Sequence, residues 1–246
     1  MTFYQSAVLF HVCTAVIGII AGGVSMAVRK GSGLHRAAGD VFVLAMLSMA
    51  GAGAFIAEFL KPNIGNVLGG TLTMYLVATG WMAGRRRENT IGSFDYSALA
   101  MVTAIGAVEI VLGVEARLSP TGLKAGYPAL LFFIFSAIAG LFAIADVRMI
   151  VRGGFTGAPR LVRHVLRMSI AFLFALLSFY PSRAHLFSKA INDSHLMYIP
   201  HVLVFGSAIL WVARLSRRRK EREYGTDEKR RTDRRPLVSV AADGAI

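Results

Sequence analysis

A single cysteine, Cys13, stands in 246 residues, so no intrachain disulfide can form and the redox compartment cannot be read from cysteine usage. Acidic residues are scarce as well, with 14 Asp and Glu against 27 Lys and Arg and a formal net charge of +13. Such an excess raises nucleic acid as a partner, but position decides that question. The charges lie between and after apolar runs, so no nucleic acid is expected. No Gly-x-Ser-x-Gly elbow, Walker loop or His-Glu-x-x-His motif occurs, which removes the usual signatures of a soluble hydrolase. The alternating pattern of a transmembrane β-barrel is missing too.

What the chain has in abundance is apolar sequence, 55% of its residues, gathered into runs of roughly 20 that match the ~30 Å hydrocarbon core of a bilayer at 1.5 Å rise per residue. Seven segments can be drawn, at 4–28, 38–60, 66–84, 96–116, 127–151, 161–180 and 197–215. Lipid offers no hydrogen-bond partner to an exposed backbone, so each segment must close its own ladder as a helix. The expected fold class is all-α, a polytopic membrane bundle of about seven transmembrane helices. The run nearest the start has no basic residue before it, while Arg29 and Lys30 follow it, so it reads as a retained span rather than a signal peptide.

Orientation follows from the basic residues. All of them except Lys61, Arg117, Lys124, Arg183 and Lys189 fall in or beside the first, third and fifth connections or from Arg214 onward. The rule places that side in the cytoplasm, with the N-terminus outside and the C-terminus inside an inner membrane. Two domains result: a transmembrane unit at 1–215 and a basic tail at 216–246, too polar to bury a core and expected to be disordered. The tail and the cytoplasmic loops should attract anionic headgroups at about 1 kcal/mol per basic residue near the surface. A faint internal echo joins Met26-Ala27-Val28-Arg29 before His35 to Met149-Ile150-Val151-Arg152 before His164, the kind of signal a parallel repeat would leave.

Ionisable groups inside the runs are the candidate functional residues. His11, Ala15, Gly18, Gly22 and Ser25 recur at helical spacing and form a small, polar stripe that lets another backbone come close. Glu109 shares a face with Gly106 and Gly113 and should also look inward, at a depth comparable to His11, which raises a His11–Glu109 pair. On the cytoplasmic side stand His35 and Arg36, then His164 and Arg167 three residues apart on one face, with Asp40 and Asp146 at the same level to pair with arginines. Such a network either fixes depth in the membrane, or binds an anion or headgroup, or supplies an axial ligand to a cofactor. On the outer side His185, Asp193, His195 and His201 raise a metal cluster, but the six-residue step from His195 to His201 and the intervening Pro200 argue against zinc.

Several stretches resemble bacterial multipass proteins of the domain-of-unknown-function family 2306. They are Phe10-His11, Arg29-Lys30-Gly31, Leu34-His35-Arg36-Ala37-Ala38-Gly39, Val41-Phe42 and Met46-Leu47, together with Asn66-Val67-Leu68-Gly69-Gly70, Tyr75-Leu76-Val77-Ala78-Thr79-Gly80-Trp81 and His164-Val165-Leu166-Arg167-Met168. The resemblance implies that His11, His35, Arg36, His164 and Arg167 belong to the family pattern; His185, His195 and His201 match nothing in it. It implies no activity.

Three functions fit these residues. One is a redox protein holding haem b between helices, with His11 and His201 as the outer ligand pair and His35 and His164 as the inner one. The second is a proton-coupled carrier titrating Glu109 and His11. The third is a non-catalytic assembly or sensing subunit acting on a protein partner through its tail and helix faces.

Overall fold

The computed structural model describes residues 1–183, 188–194 and 196–233. Its helices are α1 (Phe3–Ala27), α2 (Gly33–Phe55), α3 (Ile64–Arg85), α4 (Ser93–Leu118), α5 (Ala129–Val151), α6 (Gly157–Arg183), the short α7 (Lys189–Asp193) and α8 (Ile199–Asp233). A two-residue antiparallel ladder, β1 (Leu123–Lys124) with β2 (Tyr127–Pro128), closes the turn between α4 and α5. Side chains that can accept a hydrogen bond start several helices: Thr2 accepts from Gln5 N, Ser32 from His35 N and Asn63 from Asn66 N. The last turn of α2 widens into a π-helix at Ile56–Leu60, where Lys61 N donates to Ile56 O at 2.8 Å.

Six of the helices are long and apolar enough to cross a membrane, namely α1, α2 with its π turn, α4, α5, α6 and the first part of α8. Their outward faces carry exposed Leu44, Phe59, Leu130, Leu141 and Phe205. Large apolar side chains facing outward along whole helices suit lipid rather than water. The chain is therefore a polytopic helical membrane bundle.

At 22 residues α3 is shorter than the helices packed on it and richer in Gly and Thr. It compensates by enclosure: α2, α4 and α6 pack around it, and Leu72, Tyr75, Leu76, Val77 and Thr79 are all but sealed from solvent. The bundle is organised about this helix, with α1 against α2 and α6, α5 against α4, and α8 against α6. The small stripe of α1 faces inward as its spacing requires. A Cβ at Gly18 would stand 3.3 Å from the Met46 sulfur, and one at Gly22 would stand 3.0 Å from the Phe42 ring and 3.1 Å from Phe172.

All seven apolar segments of the sequence become helices. The two hairpins of the sequence echo differ in packing, however: α1 lies along α2, whereas α5 lies along α4. The helical backbone of α8 also runs past Leu215, the expected end of the transmembrane unit, and through the first part of the expected tail as far as Asp233. That stretch is rich in Arg, Lys and Glu, whose unbranched side chains lose little freedom in a helix. Residues 234–246 lie outside the described residues.

Candidate functional site

Four histidines of the bundle share one arrangement. His11 Nδ1 lies 2.7 Å from Met49 O, His35 Nδ1 3.0 Å from Ser25 O, His164 Nδ1 2.8 Å from Gly80 O and His201 Nδ1 3.1 Å from Met197 O. A carbonyl oxygen only accepts, so each contact is a hydrogen bond when Nδ1 carries the proton and donates, which leaves Nε2 of a neutral ring with its lone pair; His35 Nδ1 also lies 3.1 Å from the Ser25 hydroxyl, which can accept as well as donate. His201 Nε2 is enclosed without a hydrogen-bond partner among the described residues, its ring packed 5.6 Å from Tyr180 and 6.1 Å from Tyr198.

Three of these rings reach a carbonyl of a neighbouring helix, and for His11 and His164 a glycine makes room. A Cβ at Gly53, four residues after Met49, would stand 2.9 Å from His11 Cε1. A Cβ at Gly84, four residues after Gly80, would stand 3.1 Å from His164 Nδ1. The bare glycine turn lets the imidazole lie against the backbone and share an oxygen that already serves the helix ladder. His11 lines a small cleft with Ala15, Met49 and Phe179, between α1, α2 and α6.

A second cluster joins α3, α5 and α6 around Asp146, which is 1% exposed. Its Oδ1 accepts from both Arg163 and Arg167, and its Oδ2 accepts from the Tyr75 hydroxyl at 2.6 Å. Arg167 is the bulkiest of the fully buried side chains, its guanidinium 4.9 Å from the Tyr75 ring centre and 5.3 Å from that of Phe142. The expected pairing of Asp146 with arginines is thus present, whereas Asp40 pairs with Arg85 and not with Arg36. Arg36 is exposed at the start of α2, with no side-chain hydrogen bond among the described residues.

Where α3 ends and α6 begins, the connections at 86–92 and 152–156 dock on each other. Gly154 makes this close approach, at φ +111, since a Cβ there would stand 2.8 Å from Thr90 N. Arg160 donates to Arg86 O at 2.8 Å, Arg86 pairs with Asp95, and Gly157 N donates to Glu88 at 3.1 Å. Between these groups lies a cleft of about 360 Å³, counting its open mouth, lined by Arg86, Arg87, Thr90, Asp95, Arg160 and Arg163.

Other expected groupings fare differently. Glu109 is buried, as its spacing predicts, with Gly106 beside it set against Ala139 and Ser136 of α5. It does not meet His11: α4 packs on α3 and α5, α1 packs on α2 and α6, and among the described residues no hydrogen bond or ion pair joins the two. Comparable depth along the two helices does not make them neighbours, since α1 and α4 pack on different helices. His185 and His195 lie outside the described residues. Among the described residues no three of His, Cys, Asp and Glu come together as a metal cluster. Sequence reasoning missed two participants: Tyr75, since a tyrosine among apolar residues carries no charge signal, and Arg163, which it read only as a basic residue setting orientation.

No family model matches the chain, and no solved structure matches it. Phosphoglycerol transferase I from two Escherichia coli strains is similar to it, 38% identical over 79 residues, which is 32% of this chain and 9% of the relative in each case. The chain thus spans under a tenth of the length of the curated relatives it matches, and the likeness assigns no transferase chemistry to any residue here.

Proposed function

We propose that this multipass membrane protein is a redox component in which Nε2 of His35 and His164 would hold one haem b towards the inner side and Nε2 of His11 and His201 would hold a second towards the outer side. The observation that carries this reading is the common tethering of the four rings through Nδ1. Ligating histidines donate their other ring N–H to a carbonyl or carboxylate, which fixes the tautomer and aims the free nitrogen. A structural histidine needs only some partner for either nitrogen; four of them sharing one tautomer fits a ligand set. Haem b, when bound, supplies one-electron transfer. The chain's own part is to hold each imidazole through Nδ1 against a backbone carbonyl, so that Nε2 is the nitrogen left to a ligand. The carrier reading loses its titrating pair with the separation of Glu109 from His11.

Two further expectations belong to the same proposal. The basic ends of the bundle face the cytoplasm, with anionic headgroups against them, and the N-terminus faces out. The resemblance to family 2306 extends the ligand set to relatives that carry His11, His35 and His164.

The test is optical. Protein expressed with a haem supply and purified in detergent should show a Soret band and a pyridine haemochrome of the b type. His164→Ala and His35→Ala should each remove the inner haem and leave the outer band. A colourless preparation, or a spectrum untouched by all four histidine substitutions, would defeat the reading.

A further inference from the structure

We infer that the arginine-lined cleft between the end of α3 and the start of α6 binds a phosphate-bearing anion. Four guanidinium groups, of Arg86, Arg87, Arg160 and Arg163, border it, against the single carboxylate of Asp95. Asp95 is taken by Arg86, and the nearest carboxylate behind the wall, Asp146, is taken by Arg163 and Arg167. Glu88 is engaged at Gly157 N. Arg160 is therefore left with a neutral partner, the carbonyl of Arg86, while its Nε is enclosed with no hydrogen-bond partner among the described residues. A half-buried cation without a counter-charge is costly to hold. A topology signal needs only exposed positive charge, so it does not explain why these side chains fold inward over a cleft.

The cleft is also built rather than draped. The Gly154 contact and the Glu88–Gly157 bond lock its two rims together, and the Thr90 hydroxyl is committed to Arg87 O at 2.8 Å. The groups left to meet a ligand are the planar forks of arginine, which match tetrahedral oxyanions two oxygens at a time. Several such forks around one small space favour a doubly charged group over a single carboxylate. The cleft is open at its mouth, so a phosphate meeting the arginines there leaves whatever it is attached to outside, and a free phosphate and a phospholipid headgroup present the same chemistry.

The experiment uses full-length protein, purified in phosphate-free detergent or reconstituted in nanodiscs. Inorganic phosphate is titrated by calorimetry, and retention of phosphatidylglycerol against phosphatidylcholine is read by native mass spectrometry. At least one probe should bind, and Arg160→Gln should weaken it on the order of tenfold. Arg87→Gln, at an exposed position with no side-chain hydrogen bond or ion pair among the described residues, should weaken it several-fold while leaving thermal unfolding without ligand unchanged. Phosphate binding without phosphatidylglycerol retention supports a free anion, and retention that phosphate does not displace supports the headgroup. Failure of both probes with the wild type, or wild-type binding by both variants, overturns the inference. Neither outcome touches the haem reading, which stands on other residues.

Discussion

Replacing Asp146 with Asn keeps the size of the side chain and removes the charge between two arginines. Arg163 and Arg167 have side chains 8% and 1% exposed, and no other carboxylate pairs with either among the described residues. Removing one partner of a buried ion pair typically costs about 3–5 kcal/mol, because the remaining charge is uncompensated rather than because the pair was strong. Here one carboxylate serves two cations, which pushes towards the upper figure. The aromatic faces of Tyr75 and Phe142 stay in place under Arg167 and so cancel from the difference, and the Tyr75 hydroxyl can still donate to the amide oxygen. The expected net loss for Asp146→Asn is about 3–5 kcal/mol. Unfolding in mixed micelles, followed by circular dichroism against denaturing detergent, measures it. Adding Arg167→Met to the Asp146→Asn variant should recover part of the loss, since an apolar side chain there needs no counter-charge. A single-variant loss below about 1 kcal/mol, or no recovery in the double variant, would show that the cluster is wet and solvent-compensated, refuting the reasoning.

Gly53→Val and Gly84→Val should each displace the imidazole that lies on that glycine, His11 or His164, at about 1–3 kcal/mol of stability; the same variants should lose the corresponding haem band, and an intact spectrum would separate packing from ligation. Glu109→Gln should change stability by under about 1 kcal/mol, because no ion pair is lost and a neutral amide replaces a carboxyl in the same enclosed place. Lys30, in the α1–α2 connection, donates to Ser25 O and Met26 O at 3.0 and 2.7 Å, and burial holds its pKa below 10.5. The folded form therefore binds fewer protons than the unfolded form between that lowered pKa and 10.5, so stability should rise with pH across this window. A Lys30→Gln variant should show a flatter curve there when thermal unfolding is compared at matched pH.

Hydropathy made the helices legible, because the cost of exposing backbone to lipid leaves few alternatives for an apolar run of this length. The inward faces of α1 and α4 were legible for a similar reason: small residues at helical spacing mark a close approach, and both Gly18 and Gly22 make one. Adjacency was not. Glu109 and His11 agree in depth, and nothing in one sequence says that their helices pack on different neighbours. The Asp146 cluster shows the same gap from the other side. Its arginines and its aspartate were visible as ionisable residues near one membrane face, but choosing Arg163 and Arg167 over Arg36 needed the approach of α5 to α6. The glycine seats of His11 and His164 lay further out of reach, since the glycine and the histidine sit on different helices.

The position of α3 bears on how the protein is made. A segment with this share of Gly, Thr and Tyr gains less from entering lipid than the helices around it, and much of what stabilises it is contact with α2, α4 and α6. Two of those partners emerge from the ribosome after it does. During synthesis α3 should therefore linger beside the insertion machinery until α4 and α6 arrive to surround it, so chains truncated after α3 or α4 should be the ones that quality-control proteases remove first.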